Sequence, residues 1–342
     1  MKSNDNPIRL GLVGLNFGQH IVDMLMAAKD LPVKLTHVCD LDREKAEKCA
    51  ANYGLIVANS LDDMLTDPAI DAIGLFTGPS GRAGLIRQII NAGKDVMTTK
   101  PFEVDPQAAL DVLEEAKTLG RVVHLNSPNM RPFGEMAIIK HWIDSGAIGR
   151  PVLAQSNVWA YYGPTPADGT WYDDPARCPV APIFRLGIYP LNGLLTIFDT
   201  PQSVQVTHTR IETHRPTPDN ASVTIGFADG GIINIMASFV VGGPDMYKNA
   251  LTIGGTKGVI YYQTGPKSQE NPPINRIILS TDEGVIEEII HTHAGEYDWE
   301  FFAQRVRGEV SEDVTTPAQI VAAIKVMQAM SIAEQTGQVV YL

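Results

Sequence analysis

The sequence predicts an α/β protein with two domains: a doubly wound parallel sheet, then an α+β domain with a large, open and mostly antiparallel sheet. Its 342 residues exceed the length of one ordinary domain. Apolar strand-like runs alternate with amphipathic helical stretches as far as Leu125, which is typical of a parallel sheet covered by helices. From Val152 onward, β-branched and aromatic runs follow one another with few helices between them, which indicates antiparallel pairing. We therefore place the domains at 1–126 and 127–342.

The first domain contains short apolar runs that predict buried strands, at Ile8–Gly14, Val33–Asp40, Ala72–Thr77, Asp95–Thr99 and Val122–Leu125. The stretches between them have helical periodicity and predict helices, at Gln19–Lys29, Asp42–Tyr53, Arg82–Ala92 and Pro106–Leu119. Because strands and helices alternate, we expect neighbouring strands to pair in parallel.

The second domain is predicted to begin with a helix near 133–145 and to continue with strands in VLAQSNVWAYY, SVQVTHTRIE, ASVTIGFADGGIINIMASF, GVIYYQ and RIILST. The ADGG segment predicts a hairpin turn between two of these strands. Further helices are predicted at Ile183–Phe198, Trp299–Gly308 and Pro317–Gln335. We assign all of them to the second domain, with the C-terminal helix 317–335 able to pack back toward the first.

Composition narrows the class of partner. The hydrophobic fraction of 44% and the charged fraction of 19% are those of a globular protein. A net charge of −12 argues against nucleic acid, because no basic surplus is available to displace counterions from phosphates. The three cysteines form no CxxC pair, so we expect neither a disulfide framework nor a metal site. No apolar stretch is long enough for a signal peptide or a membrane span, so we expect a cytoplasmic protein that does not act at a membrane.

The turn after the first strand has the context of a dinucleotide-binding fingerprint. Gly14-Leu15-Asn16-Phe17-Gly18 follows a buried strand and precedes a helix, although Asn16 replaces the second glycine and Gly18 falls one residue early. Asp40 ends the second strand, where an acid hydrogen-bonds the adenosine ribose and repels a 2′-phosphate. We therefore expect NAD as the cofactor, with Arg43 keeping NADP as the alternative. In the competing interpretation, Asp40 only caps the helix that follows.

The run DAIGLFTGPSGRAGLIRQIINAGKDVMTTKPF resembles the central motif of the glucose–fructose oxidoreductase / inositol dehydrogenase / MocA family. Further similar segments follow in order: MRPFGEMAIIKHWIDSGAIGRPV, WYDDP, FRLGIYPLNGLL and TTPAQIVAAIKVMQAMSIAEQTGQVV. The resemblance implies a Rossmann domain, a dehydrogenase acting on a small carbohydrate, and a homodimer or homotetramer formed through the second-domain sheet. It also implies contacts with the cofactor from Gly14, Asn16, Phe17, Gly18, Asp40, Thr77, Gly78, Pro79 and Lys100.

Three positions depart from the family pattern. Thr99 stands where the family usually has the glutamate of Glu-Lys-Pro, so a neutral hydroxyl replaces a charged group. Arg82 occupies the usual histidine position after the Thr-Pro turn, and Gly78 replaces the proline of that turn. These departures leave open a cofactor-binding sensor without turnover. A redox-neutral glycoside hydrolase that uses bound NAD is the other rival function.

By resemblance, Lys100 lies beside the nicotinamide and hydrogen-bonds the reacting oxygen. Hydride transfer from an alcohol needs a group that takes or returns the hydroxyl proton, and open α/β sheets place ligands at the carboxyl ends of their strands. The alternative is that Lys100 is a solvated surface lysine. We expect the reaction to take place at a cleft between the domains.

Arg185, Tyr189 and Asn192 recur at i, i+4 and i+7, so a helix would place them on one face. Tyr189 fits family members that carry tyrosine there, and we predict it to be the acid/base, because nearby cations favour the charged form of a phenol. The alternative is a core tyrosine with a satisfied hydroxyl. Pro190 makes the shared face approximate. Asn192 and Arg131 are predicted to contact substrate.

Arg185 stands where relatives tend to carry an acid. It is predicted either to grip a substrate anion, which suits the forked guanidinium, or to pair with Asp173 or Asp174 as a structural ion pair. The sequence does not distinguish these alternatives.

Overall fold

The computed structural model describes residues 6–163, 167, 169–242, 249–265, 274–292, 295–310 and 314–342. The chain divides into two compact units. The first consists of Met1–Met130 with Tyr297–Pro317, and the second of Arg131–Glu296 with Ala318–Leu342. The first unit thus extends four residues beyond the predicted boundary at 126 and takes in a later segment.

The sheet of the first unit has six strands: β1 (Ile8–Val13), β2 (Val33–Cys39), β3 (Ile56–Val57), β4 (Ala72–Leu75), β5 (Asp95–Thr98) and β6 (Val123–Leu125). Its helices are α1 (Gly18–Ala27), α2 (Arg43–Tyr53), α3 (Leu61–Thr66), α4 (Arg82–Asn91) and α5 (Pro106–Thr118). All strand pairs are parallel, in the order β3-β2-β1-β4-β5-β6. This confirms the predicted doubly wound Rossmann sheet, whose strand order reverses between β1 and β4, where such sheets bind ligands.

Side-chain caps define where the helices after β2 and β5 begin. Asp42 accepts from the backbone N–H of Lys45 (3.2 Å) at the start of α2. Asp105 accepts from the amides of Gln107 (2.9 Å) and Ala108 (3.2 Å), and a proline at the first position of α5 has no N–H to satisfy.

The helix α8 (Trp299–Val306) lies in the first unit, whereas the sequence analysis assigned it to the second domain. Trp299 and Phe302 are buried in the apolar core of the first unit, together with β1 and β2 side chains such as Leu10 and Leu35. The prediction was wrong because an apolar helix face shows that a helix is buried but not which sheet it covers.

The sheet of the second unit has nine strands: β7 (Pro151–Trp159), β8 (Pro201–Thr209), β9 (Asn220–Phe227), β10 (Ile232–Ser238), β11 (Asn249–Gly255), β12 (Gly258–Thr264), β13 (Asn275–Thr281), β14 (Gly284–Ile290) and β15 (Val340–Tyr341). Their order is β14-β13-β12-β11-β7-β10-β9-β8-β15. Among the described strand pairs of this sheet, only β7 and β10 pair in parallel, which confirms the predicted mostly antiparallel sheet. The ADGG segment forms the predicted hairpin between β9 and β10.

Three helices complete the second unit in the described residues: α6 (Glu135–Asp144), α7 (Ile188–Leu194) and α9 (Pro317–Thr336). Glu334 of α9 accepts from the backbone N–H of Val180 (2.9 Å), and β15 then pairs with β8. The C-terminal helix therefore belongs to the second unit, where contacts within that unit anchor it. Among the helices described, none is both long and apolar enough to span a membrane.

Candidate functional site

The turn between β1 and α1 forms a cradle that only glycine fits. Gly14 has φ +90°, and a Cβ at this position would lie 2.9 Å from the carbonyl oxygen of Phe76. At Gly18 a Cβ would lie 3.0 Å from Leu12 Cδ2, so this glycine permits close packing of α1 on the sheet. These are the roles of the first and last glycines of the fingerprint, while Asn16 stands exposed between them. The turn and the N-terminus of α1 therefore fit a pyrophosphate.

Asp40 binds the backbone of this turn. Its Oδ2 accepts from the N–H of Leu15 (2.5 Å), and its Oδ1 accepts from the N–H of Asp42 (2.9 Å). Because Asp42 itself caps α2, helix capping does not account for Asp40. The carboxylate is held at the end of β2 against the glycine turn, as a ribose contact requires. The ribose hydrogen bond itself stays a prediction.

Two cations lie on the first turn of α2. Lys45 donates from Nζ to Asn16 Oδ1 (2.6 Å), which links α2 to the glycine turn. Arg43 pairs with Glu47 (2.8 Å) and also donates to Asn59. Arg43 was predicted as a cation near the ribose, and Lys45 was not. A lysine in the first turn of the helix that follows the ribose-binding acid is the signal that could have found it.

Lys100 lies in the turn at the carboxyl end of β5. It is half-buried, and its backbone N–H donates to Oδ1 of the fully buried Asn126 (3.3 Å). Thr99, which replaces the family glutamate, is buried beside it. The predicted contacts Thr77, Gly78 and Pro79 follow the neighbouring strand β4. The backbone of Lys100 is thus held at this end of the sheet, and the contact of its ammonium with the nicotinamide stays a prediction.

The second unit contains a cavity of about 320 Å³ on the inner face of its sheet. It lies against the starts of α6 and α7 and is lined by Glu135, Met136, Ser156, Val158, Trp159, Ala160, Leu186, Tyr189, Pro190, Asn249, Ala250, Leu251, Tyr262 and Gly295. Tyr189 is the predicted site residue among them. Glu135 and Tyr262 were not predicted, because only the register of distant strands and the start of α6 bring them to Tyr189.

The cavity contains a second tyrosine, Tyr262, besides the predicted Tyr189. Burial raises the pKa of the Tyr262 hydroxyl far above its usual value, and the negative charge of Glu135 acts in the same direction. This hydroxyl donates to Asn275 Oδ1 (3.2 Å) and also contacts Thr264 Oγ1 (2.8 Å). Tyr262 is therefore a fixed neutral group. Tyr189 is half-buried, and its role as the acid/base stays a prediction.

The predicted stripe of Arg185, Tyr189 and Asn192 begins in a π-helical turn, Ile183–Gly187, that continues into α7. Such turns are rare and frequently occur at functional sites. Tyr189 lines the cavity, and Asn192 is buried with 3% of its surface exposed. Arg131 lies half-buried before α6. The prediction of a common face assumed the angular spacing of an α-helix. The π-helical turn at Ile183–Gly187 has a different spacing, so this assumption does not hold for Arg185.

Arg185 lies among aromatic rings. Its guanidinium carbon is 4.0 Å from the ring centre of Tyr172, 4.8 Å from that of Phe239 and 5.0 Å from that of Tyr162. Asp173, one of the predicted ion-pair partners, pairs with Arg215 (2.8 Å). A guanidinium at these distances is attracted to the faces of the rings by cation–π interaction.

Within the described residues, no group of three or more histidine, cysteine, aspartate or glutamate side chains is arranged to hold a metal ion.

Residues 8–127 match the family model described as an oxidoreductase family with an NAD-binding Rossmann fold, and residues 136–261 match the GFO/IDH/MocA C-terminal domain. The inositol 2-dehydrogenase/D-chiro-inositol 3-dehydrogenase of Lactiplantibacillus plantarum is 27% identical over 150 residues, which cover 42% of this chain and 42% of that protein. The match thus spans less than half the length of this curated relative.

Two solved structures share the fold over almost the whole chain. An aldose-aldose oxidoreductase from Caulobacter crescentus has a TM-score of 0.77 at 16% identity and covers 98% of this chain and 100% of its own. An oxidoreductase from Agrobacterium radiobacter, in complex with NAD+, L-tartaric acid and magnesium, has a TM-score of 0.73 at 16% identity, with 98% of each chain covered. With both of its domains matched by the family models, the chain belongs to the GFO/IDH/MocA family of oxidoreductases and carries an NAD-binding Rossmann domain.

Proposed function

We propose that this protein is an NAD-dependent dehydrogenase or reductase of a small sugar, polyol or sugar derivative. The observation that carries the proposal is the glycine cradle at Gly14, closed by Phe76 and bound by Asp40, in a chain of an oxidoreductase family. When bound, NAD supplies the hydride acceptor at its nicotinamide ring. The names of the curated and structural relatives, which act on inositols and aldoses, support a carbohydrate substrate.

Lys100 and Tyr189 handle the proton of the reacting hydroxyl in this proposal. Lys100 is supported by its place at the carboxyl end of β5 and by the anchoring of its backbone to Asn126. Tyr189 is supported by its place in the cavity beside Tyr262, whose hydroxyl is fixed as a neutral donor. A positioned acid or base typically contributes ~10²–10⁴-fold to a rate.

NAD is preferred over NADP in this proposal because Asp40 is held at the end of β2 by two backbone amides. A carboxylate at that place repels a 2′-phosphate. Lys45 and Arg43 supply the opposing charge nearby, and both have side-chain oxygen partners, Asn16 for Lys45 and Glu47 for Arg43. Their charge reduces the preference for NAD without reversing it.

A homo-oligomer formed through the outer face of the nine-stranded sheet is part of the proposal. The strand register places Leu153, Ile232, Met236 and Tyr261 on this one face, and all four are exposed. Apolar side chains collected on one face of a sheet typically mark a protein interface. Light scattering during gel filtration should give the mass of a dimer or tetramer, and a monomer at micromolar concentration would contradict this part.

The test of the function is a panel of myo-inositol, D-glucose, D-glucuronate and levoglucosan, each incubated with NAD and with NADP. We expect at least one compound to reduce NAD. The absorbance of the reduced nicotinamide measures this reaction. Reduction of neither cofactor by any compound would contradict the proposal. Consumption of a glycoside without net formation of NADH would favour the redox-neutral hydrolase instead.

A further inference from the structure

Arg82, the first residue of α4, is 1% exposed although its side chain is charged. Its Nη1 donates to the backbone carbonyls of Thr99 (2.7 Å), Phe102 (3.2 Å) and Pro101, and its Nη2 donates to that of Thr77. Thr77 belongs to the turn after β4, and the other three belong to the turn after β5. One guanidinium therefore binds the backbone of both turns.

Glu103 also connects these two parts of the chain, but from the other side: it lies in the turn after β5 and binds amides at the start of α4. It is also 1% exposed. From the turn after β5, its Oε1 accepts from the N–H of Gly81 (3.2 Å) and its Oε2 accepts from that of Ala83 (2.8 Å), at the start of α4. Oε1 also accepts from the N–H of Val104 in its own turn (2.7 Å). A buried cation thus binds carbonyls and a buried anion binds amides across one pair of turns.

We propose that Arg82 and Glu103 are positioning residues that hold Lys100 and the Thr77–Pro79 turn in a fixed mutual arrangement. The carbonyls on either side of Lys100, those of Thr99 and Pro101, bind the same guanidinium as the carbonyl of Thr77. This inference rests on the proposed function, which gives Lys100 the reacting proton.

The chemistry of guanidinium suits this arrangement better than that of ammonium. Guanidinium presents five N–H donors in a planar fork, whereas ammonium presents three donors around one point. A lysine at position 82 therefore cannot serve carbonyls of both turns with the same geometry. Because a shift of about 1 Å at a reacting group can cost ~10²-fold in rate, a small loosening of the turns has a large kinetic effect.

The test compares Arg82→Lys and Glu103→Gln with two matched controls. Arg87→Lys alters an arginine of the same helix that bonds Glu115 (2.6 Å), and Asp105→Asn alters the acid that caps α5. We expect both test variants to lower kcat per folded protein by ~10–100-fold and to change KM by less than about threefold. The controls keep kcat within about threefold of the unaltered protein. The folded fraction is counted by the stoichiometry of NADH binding.

Amide hydrogen–deuterium exchange gives a readout that needs neither substrate nor turnover. We expect exchange in residues 77–83 and 99–104 to become at least ~10-fold faster in Arg82→Lys and Glu103→Gln, and to stay unchanged in the controls. Unchanged exchange together with unchanged kcat in a folded test variant would overturn the inference. Lys100→Ala is measured beside them: if it retains turnover, the proton-transfer role that the proposed function gives to Lys100 fails, whatever the exchange of the two turns shows.

Discussion

The glycine turn of the first unit and the cavity of the second unit are built in different ways. The turn is made of backbone, with the carbonyl of Phe76 against Gly14 and the carboxylate of Asp40 on the amides of Leu15 and Asp42. The cavity is lined mainly by side chains from α6, α7 and the strands β7, β11 and β12. A site formed by backbone atoms tolerates few residue types at its close contacts. A cavity lined by side chains can change its shape and chemistry through single substitutions. We infer that the turn sets the cofactor and that the cavity sets the substrate.

The largest expected effect is a loss of turnover, and it should distinguish two lysines that flank strand β5, Lys100 and Lys94. Lys100→Ala should abolish turnover and leave NADH affinity and Tm nearly unchanged, because a half-buried lysine at the site contributes little to folding. Lys94→Ala is the matched control at the other end of the strand. The Lys94 ammonium donates to the carbonyls of Asp67 (2.8 Å) and Ile70 (2.7 Å), so its loss should lower Tm and spare kcat. Steady-state kinetics of Lys100→Ala with most activity retained would disprove the proposed role of Lys100.

The next effect tests the cavity. Tyr189→Phe removes a hydroxyl with almost no change in volume and should lower kcat by ~10²–10⁴-fold. Tyr341→Phe, in the terminal strand β15 with 80% of its surface exposed, is the control and should have no kinetic effect. A rate for Tyr189→Phe within a few fold of the unaltered enzyme would make Tyr189 a packing residue.

A smaller effect is expected on KM when Arg185, which lies among aromatic rings, is substituted. Arg185→Met should raise KM for an anionic substrate such as D-glucuronate by roughly tenfold to a hundredfold, since a charged hydrogen bond is typically worth ~1.5–3 kcal/mol. The neutral analogue D-glucose should respond far less, and Arg185→Lys should recover only part of the loss.

Arg215→Met is the structural counterpart, because Arg215 pairs with the buried Asp173, and its main effect should be a lower Tm. If Arg185→Met instead lowers Tm and raises KM equally for both sugars, Arg185 has a structural role.

The smallest effect is on cofactor choice. Asp40→Asn keeps an oxygen that can accept from the amide of Leu15 but removes the negative charge, so it should narrow the gap between NADH and NADPH affinity by roughly tenfold. Fluorescence titration of both reduced cofactors measures the gap. Tighter binding of NADPH by the unaltered protein would contradict the expected preference.

In the first unit, sequence patterns predicted well those positions at which the backbone leaves no room for a Cβ atom. Gly14 and Gly18 could be interpreted because a Cβ at either position meets strand or turn atoms. The patterns failed where packing decides, as with Trp299 and Phe302, whose apolar helix face is equally compatible with either sheet. The role of Arg82 could not be predicted because its partners are carbonyls, which every residue carries.

The second unit was less predictable because its strands and its cavity depend on how distant strands pair. The strand β14 was not predicted, because its VIEEII run lies exposed on both faces and so lacks the alternation of a half-buried strand. The strand β11 ends in two glycines and reads as a turn. Tyr262 lines the same cavity as Tyr189 because of the register of β12, β11 and β7, and Glu135 does so because α6 begins there. Register between distant strands leaves no local trace in a sequence.

The central claim is that a carbon-bound hydrogen passes directly from a sugar or polyol to NAD. The measurement that tests it uses the panel compound that reduces NAD fastest, deuterated at its carbons, with unlabelled NAD in ordinary water. Mass spectrometry of the reduced cofactor should show NADH that carries one deuterium. Unlabelled NADH, or a converted substrate without any reduced cofactor, would contradict the proposed function.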